Sequence, residues 1–239
     1  RAGGRAYRLS GENAIAFPKA GVIERSDALS LGLRIRIPDD PQVLERAIVI
    51  HRTKSWTDSG SRGYQVLIED GRVTVAFVHF WPGDAVAIRS VAPLPVEAWT
   101  HVAFTYDGSS RADGLRLYID GQLAPTEVVR DHLTRSIRGG SIGDLTIGSR
   151  FRDKGLRNGQ VDDVFVARHV VSDASIVAAA GGKPPLPESL ARDRADALET
   201  LRIARAERDA CRDRVRQIMT MAASPELPRA RHARSPSPL

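Results

Sequence analysis

Apolar and polar residues alternate along short stretches of the first 170 residues or so. The run Leu29–Ile37 has an apolar residue at every second position, which places those side chains on one face of a β-strand. Two further β-rich runs, 64–69 and 72–78, flank the pair Asp70-Gly71. Type I′ hairpin turns favour Asp-Gly because both turn residues need a positive φ. The pattern therefore predicts an antiparallel hairpin.

The same device recurs later in the chain. Asp120-Gly121 follows a second β-rich run, and Thr146–Ser149 and Gln160–Ala167 have the composition of further strands. Short strands separated by turn signals, with no alternating helices, predict an all-β sandwich of two antiparallel sheets. We interpret His101, within the strand-like run that begins at Trp99, as a structural residue, because no nucleophile or metal ligand stands near it in the sequence.

The hydrophobic pattern changes after residue 172. A short helix is predicted at 172–179, and prolines make 181–188 an extended linker. Residues 189–221 are rich in strong helix formers, so we expect a single amphipathic helix. Two arginines in its heptad seam disfavour a dimeric coiled coil. The expected organisation is a sandwich domain at 1–180, the linker, this helix and a disordered, proline-rich tail at 222–239.

Composition excludes several classes of protein. Hydrophobic residues make up 42% of the chain but aromatic ones only 5%, so the core must be mainly aliphatic. No apolar run is long enough to span a membrane, and the one cysteine, Cys211, excludes an internal disulfide. The net charge of +6 is concentrated from Ser189 onward, without interleaved aromatic residues, which argues against nucleic-acid binding. The chain begins at Arg1 without a targeting signal, so we expect a processed protein or a fragment.

Two polar loops are the best candidates for function. The first lies between the strands that end near residue 52 and begin near residue 63, and the second follows the strand that ends near residue 78. An indole offers a face for stacking on a sugar ring, and charged side chains supply hydrogen bonds. The candidate ligand-binding residues are Arg52, Trp56, Asp58, Arg62, His79, Trp81 and Arg152.

Both loops leave the open end of the hairpin around Asp70-Gly71, so we expect Trp56 to lie near Trp81. Two other interpretations stay open. In one, the tryptophans pack over the sheet edge while Arg52 and Asp58 pair on the surface, which implies no function. In the other, the loops form a docking face for neighbouring domains, since Arg and Trp are enriched at interfaces.

Several motifs in combination resemble a known family. The segments WTHVAFTYDG, LRLYIDGQ, LTIGSR and GQVDDVFV are similar to the laminin-G-like branch of the concanavalin A-like lectin/glucanase fold. The resemblance covers roughly residues 7–180. It implies a jelly-roll sandwich and a non-catalytic module that recognises carbohydrate or another ligand. The alternative is a structural spacer that contacts neighbouring domains.

A narrower resemblance rests on HRTKSWTDSGSRGYQVLIEDG, HFWPGDA and GSRFRDKG. These segments are similar to the laminin-G-like domain inside large planctomycete-type proteins that also hold a cytochrome c-like region. This resemblance implies a periplasmic or cell-surface setting within a longer parent chain. The haem-attachment motif is absent from this sequence, so no haem function is implied.

The resemblance also raises the questions of calcium and catalysis. Many laminin-G-like domains bind calcium, which needs six to eight oxygen ligands. No clustered motif brings the candidate carboxylates together, so we expect no cofactor and keep calcium as an open alternative. These carboxylates are Asp107, Asp120, Asp144, Asp153, Asp162 and Asp163. The carboxylate strand of the fold's glucanases is missing, and Glu69, Glu97 and Glu127 are scattered, so we expect no enzyme.

Overall fold

The computed structural model describes residues 6–53, 62–139, 143–181 and 188–222. Two compact units make up the chain: Arg1–Arg202, which holds both sheets, and Ile203–Leu239, whose described part is the second half of the C-terminal helix.

The strands form two antiparallel sheets, in the order β1-β13-β3-β8-β9-β10 for the six-stranded sheet and β11-β7-β6-β5-β4-β12-β2 for the seven-stranded sheet. The strands are β1 (Tyr7–Ser10), β2 (Ile15–Phe17), β3 (Leu29–Arg36), β4 (Arg46–Thr53), β5 (Gly63–Glu69), β6 (Arg72–Phe80), β7 (Asp84–Ser90), β8 (Trp99–Tyr106), β9 (Leu115–Ile119), β10 (Gln122–Leu123), β11 (Thr126–His132), β12 (Leu145–Ile147) and β13 (Arg157–Ala167). The helices are α1 (Pro41–Glu45), α2 (Asp173–Gly181) and α3 (Glu188–Ala222). The predicted all-β jelly-roll sandwich with a C-terminal helix is confirmed.

Both predicted Asp-Gly hairpins are present. Asp70 and Gly71 have φ values of 53° and 72°, and they join β5 to β6 with Glu69 opposite Arg72. Asp120 and Gly121 have φ values of 47° and 81° and join β9 to β10. Aspartate tolerates the left-handed region better than most side chains, and glycine has no Cβ to clash there. The local sequence therefore determines both turns.

The core lies between the two sheets and is mainly aliphatic, as the composition predicts. A small aromatic cluster forms its centre: the ring centroids of Phe77 and Tyr106 lie 4.2 Å apart, and those of Tyr64 and Phe77 lie 5.6 Å apart. Tyr106 and Tyr64 each donate a hydroxyl hydrogen bond to a backbone carbonyl, of Arg25 and Gly21 respectively. Their polar ends are thereby satisfied in an apolar interior.

Helix α2 covers one part of the outer face of the six-stranded sheet. Ile176 is fully buried against Ala103 and Tyr118, with Phe165 packed beside them. Gly32 lies in β3 beneath the Phe165 ring. A Cβ at this position would stand 2.4 Å from Cε1 of Phe165 and 2.8 Å from Cβ of Ala103. The strand therefore needs glycine here for a close approach rather than for a turn.

The substitution Gly32→Ala tests this packing. We expect it to lower the free energy of unfolding by about 1–3 kcal/mol, because an added methyl group forces the Phe165 ring and its neighbours apart. Urea unfolding of the full chain measures the change. Gly181→Ala is the control, since a Cβ at Gly181 meets no heavy atom within 4 Å. Equal losses in the two variants would contradict the packing argument.

Candidate functional site

Four candidate residues lie at the end of the seven-stranded sheet where β4 ends and β5 begins: Arg52, Arg62, His79 and Trp81. Arg152 is not among them. Trp56 and Asp58 lie outside the described residues. Arg52 lies near the end of β4, and Arg62 immediately precedes β5. The expected proximity of Trp56 and Trp81 stays a prediction.

Arg62 and His79 are bonded to each other. Nη2 of Arg62 donates to Nε2 of His79 at 3.2 Å, and Nε of Arg62 donates to the His79 carbonyl at 3.4 Å. A guanidinium group only donates, so Nε2 of His79 is the acceptor. Nδ1 then carries the proton and donates to the Ser136 carbonyl at 2.6 Å. The two candidate loops thus start side by side, as expected from the β5–β6 pairing of Gly63 with Val78.

Trp81 is half-buried and packs on the outer face of the seven-stranded sheet. The surface beneath it consists of four small buried side chains, Ala76, Val78, Ala85 and Ala87. Such small side chains leave room for an indole ring to lie over the strands. The neighbouring Phe80 is 50% exposed. The described residues therefore place two accessible aromatic side chains at the same end of the β5–β6 hairpin as the Arg62–His79 pair.

Arg52 lies on the face of the seven-stranded sheet opposite to that of Trp81. It lies opposite Tyr64 across the β4–β5 ladder, so it faces the core side of the sheet. Its Nε is buried without a hydrogen-bond partner among the described residues. Burial raises the pKa of Tyr64, which keeps the neighbouring hydroxyl neutral. The position of Arg52 differs from that of a surface ligand contact, because strand alternation turns it inward.

Arg152 is exposed at the tip of a turn in which the Asp153 N–H donates to the Arg150 carbonyl at 3.2 Å. Its guanidinium carbon lies 5.4 Å from the centroid of the Phe151 ring. Phe151 is 72% exposed, the largest exposed fraction among the described large apolar side chains. The turn thus presents a cation and an aromatic ring together to solvent.

The sequence analysis missed the importance of Arg150, two residues before the candidate Arg152. Its side chain is only 1% exposed and forms a forked ion pair with Asp153, whose side chain is 4% exposed. Arg150 also donates to the side-chain oxygens of Thr53 and Gln65. These contacts fasten the segment after β12 to the outer face of the seven-stranded sheet.

A charged network continues from this pair along the same face. Arg46 contacts both Asp153, at 3.2 Å, and Glu69, at 2.6 Å, and Arg89 contacts Glu69 at 2.9 Å. Burial opposes ionisation of Asp153, but Arg150 and Arg46 outweigh it and hold its pKa below the ordinary value. Each charge in the network therefore has a partner, as a desolvated charge requires.

His51 joins the network in one tautomer. The Thr53 hydroxyl accepts from Arg150 at 3.1 Å and lies 2.9 Å from Nδ1 of His51. Nε2 lies 2.9 Å from the Ser149 carbonyl, which only accepts, so Nε2 carries the proton. Nδ1 is then the acceptor for the Thr53 hydroxyl. Burial, the largest cause, lowers the pKa of His51 to about 4.

The candidate calcium ligands are occupied by protein contacts. Asp120 accepts the His101 N–H at 2.8 Å, Asp107 accepts the Ser109 N–H at 2.8 Å, and Asp153 binds two arginines. Within the described ranges, no three His, Cys, Asp or Glu side chains are close enough to hold a metal ion. Likewise, no helix in the described part of the chain is long and apolar enough to cross a membrane.

The neutral state of His51 predicts a pH dependence of stability. The folded protein holds His51 neutral down to about pH 4, whereas in the unfolded chain it titrates near its ordinary value of about 6.5. The contribution of neutral His51 to the free energy of unfolding is therefore fully present above about pH 6.5 and is lost as the pH falls toward 4. We expect His51→Gln to reduce the acid-dependent loss of unfolding free energy by up to about 3 kcal/mol.

Urea unfolding at several pH values between about 7 and 4 measures this difference. His132→Gln is the control, because His132 is exposed at the end of β11. An identical pH profile for wild type and His51→Gln would contradict the assignment of a neutral, buried imidazole.

Two solved structures with TM-scores above 0.5 share this architecture. The binding domain of paraclostridial mosquitocidal protein 1 is 12% identical with a TM-score of 0.54, over 74% of this chain and 43% of that one. NanB, solved with optactamide, is 13% identical with a TM-score of 0.55, over 77% of this chain and 28% of that one. The binding domain of botulinum neurotoxin serotype G is 15% identical with a TM-score of 0.48, over 75% of this chain and 47% of that one. At these identities the likeness concerns the fold alone, and the chain spans less than half of each structure.

No curated protein matches the sequence at a significant level. Residues 9–177 match the Laminin_G_3 family, described as the concanavalin A-like lectin/glucanases superfamily. This match covers most of the chain, including every strand from β2 to β13. The chain therefore belongs to the Laminin_G_3 family of the concanavalin A-like lectin/glucanase superfamily.

Proposed function

We propose that this chain is a non-catalytic recognition domain that binds carbohydrate at the rim of the seven-stranded sheet. The observation that carries the proposal is the half-buried Trp81 ring, which lies on small side chains at the same end of the β5–β6 hairpin as the Arg62–His79 pair. A sugar ring has apolar faces that stack on an indole and hydroxyl groups that bind charged or amide groups at its edge. Both kinds of contact meet at this rim.

Each described rim residue has a distinct role in the proposed site. Trp81 provides the stacking surface. Arg62 has five N–H donors and uses two of them on His79, so others are available to ligand hydroxyl groups. His79 is held between Arg62 and the Ser136 carbonyl and fixes the direction of the guanidinium group. Trp56, Asp58 and Arg152 complete the proposed contacts.

The state of the glutamates supports recognition rather than hydrolysis. A glycosidase needs one carboxylic acid to donate a proton and a second carboxylate nearby. Glu69 contacts Arg46 and Arg89 in the described structure, and two other glutamates, Glu97 and Glu127, contact Arg36 and Arg72 respectively. Carboxylates held in this way act as charge partners for arginine.

The proposed setting is a larger extracytoplasmic protein, at the cell surface or in the periplasm, in line with the planctomycete-type resemblance. One observation favours the alternative of a docking domain. Phe151 is 72% exposed beside Arg152 on a turn that the buried Arg150–Asp153 pair holds in place. A rigidly displayed aromatic and cationic pair suits a contact with a neighbouring domain of the parent chain.

A glycan array probed with the full chain, with and without calcium, tests the proposed function. We expect binding to at least one glycan class. We also expect Trp81→Ala and Arg62→Ala each to weaken that binding by about tenfold or more, which corresponds to about 1.4 kcal/mol. Trp81→Phe keeps a stacking ring on the same surface and should retain most of the affinity.

Leu123→Ala is the control, because it removes an exposed apolar side chain from β10 of the other sheet. Thermal unfolding checks that each variant is folded. If no glycan binds in either condition, or if Trp81→Ala and Leu123→Ala have the same effect, the proposal is wrong and the docking alternative is favoured.

A further inference from the structure

A cleft of about 420 Å³ lies on the six-stranded sheet, at the opposite side of the sandwich from the proposed rim. Its volume falls within the range of about 300–1,000 Å³ that is common for small-molecule sites. No residue of α2 lines it. The polar and charged residues that line it are Arg8, Arg36, Asp39, Asp40, Glu97, Asn158 and Gln160.

Strand register aligns four side chains in one row across this face. Arg8 lies opposite Gln160, Gln160 lies opposite Arg36, and Arg36 lies opposite Trp99. Directly opposite residues in antiparallel strands share a face of the sheet. With a strand spacing of about 4.8 Å, the row extends over about 14 Å. It presents, in order, a cation, an amide, a cation and an indole.

Four of the lining side chains have no hydrogen-bond or ion-pair partner among the described residues. Among the described residues, the side chains of Arg8, Asp39, Asn158 and Gln160 form no hydrogen bond or ion pair. Together they offer guanidinium donors, a carboxylate acceptor and two amides that both donate and accept. A ligand with many groups that can each both donate and accept a hydrogen bond matches this set.

Arg36 is held in position for such a ligand. Its Nε donates to the Glu97 carbonyl at 3.0 Å, and its Nη2 lies 2.6 Å from the Glu97 carboxylate. Glu97 has a φ of 55°, an unfavourable region for glutamate. Its carboxylate also accepts the Asp39 N–H at 3.2 Å. A second lining residue, Asn158, has a φ of 58°. Asparagine tolerates this region, but a glutamate there is strained, and strained residues concentrate at ligand sites.

The charges around the cleft compensate one another. Arg36 pairs with Glu97, and Asp40 pairs with Arg157 at 2.6 Å. The hydrogen bond from Arg157, the largest cause, keeps the pKa of Asp40 below its ordinary value. Arg8 and Asp39 then contribute one charge of each sign. The cleft therefore has no net charge with which to select an anionic or a cationic ligand.

Trp99 adds a stacking surface at the end of the row. It is 40% exposed and lies on the same face as Arg36. From these features we infer that the outer face of the six-stranded sheet carries a ligand site of its own, for an uncharged saccharide of two or three sugar rings. This site does not depend on the rim site of the seven-stranded sheet, and either of the two can fail without the other.

Isothermal titration of the full chain with cellobiose, maltose, lactose and chitobiose tests the inference. At least one of these neutral disaccharides should bind, and Trp99→Ala, Gln160→Ala and Arg8→Ala should each weaken that binding by about tenfold. The affinity should change less than twofold when the ionic strength is raised to about 1 M, where exposed charges are screened beyond about 3 Å. The acidic disaccharide of hyaluronan should bind more weakly than the best neutral probe.

Two control variants show which surface of the sandwich binds the probe. Arg116→Ala removes an exposed arginine from β9 of the same sheet, far from the cleft residues in the strand register, and should leave binding unchanged. Trp81→Ala removes the ring of the rim site, so probe binding that persists in this variant belongs to the six-stranded sheet. The inference is overturned if no neutral probe binds at millimolar concentration, if the acidic probe binds more tightly, or if Trp81→Ala abolishes binding while Trp99→Ala does not.

Discussion

The buried ion pair between Arg150 and Asp153 is the constraint on which the seven-stranded side of the molecule depends. A buried pair of charges is tolerated only when its geometry is favourable and nearly all of its hydrogen bonds are made. Arg150 meets this condition through Asp153, Thr53 and Gln65. Because these partners belong to the segment after β12 and to strands β4 and β5, the pair fixes that segment over the sheet. The exposed Phe151–Arg152 tip is rigid for the same reason.

Neutral histidines accompany these charged contacts on both sides of the sandwich. His51 is neutral because its burial disfavours the charged form and Thr53 requires an acceptor at Nδ1. His101 is buried on the other sheet, with its ring stacked on Phe165 at 6.3 Å, and burial followed by the charge of Arg34 lowers its pKa. Both residues bind an additional proton more readily in the unfolded chain. Lowering the pH therefore reduces the stability that these two buried histidines give to the outer faces of both sheets.

The two proposed ligand surfaces differ in how they are built. The rim of the seven-stranded sheet combines side chains from loops, which connect strands and tolerate changes in sequence. The cleft on the six-stranded sheet takes four of its nine lining residues from adjacent strands, so its Arg8–Gln160–Arg36 row is set by the ladder itself. A row of this kind is preorganised, because strand pairing has already fixed the backbone before a ligand arrives. The sandwich therefore supports one adaptable and one rigid surface.

The sequence alone determined the features that depend on neighbouring residues. Alternation along β3 fixed which of its side chains face the core, and the Asp-Gly pairs fixed two hairpins, since their conformational preferences act within a few residues. The β5–β6 hairpin was enough to place Arg62 beside His79. Only the tertiary structure decided that Arg150 is buried while Arg152 is exposed, because burial depends on Thr53 and Gln65, which lie 97 and 85 residues away from Arg150. The tertiary structure also decided where the cleft forms, since β1, β13, β3 and β8 are adjacent in space and distant in sequence. Their pairing is selected by the packing of the whole core, which no local pattern encodes.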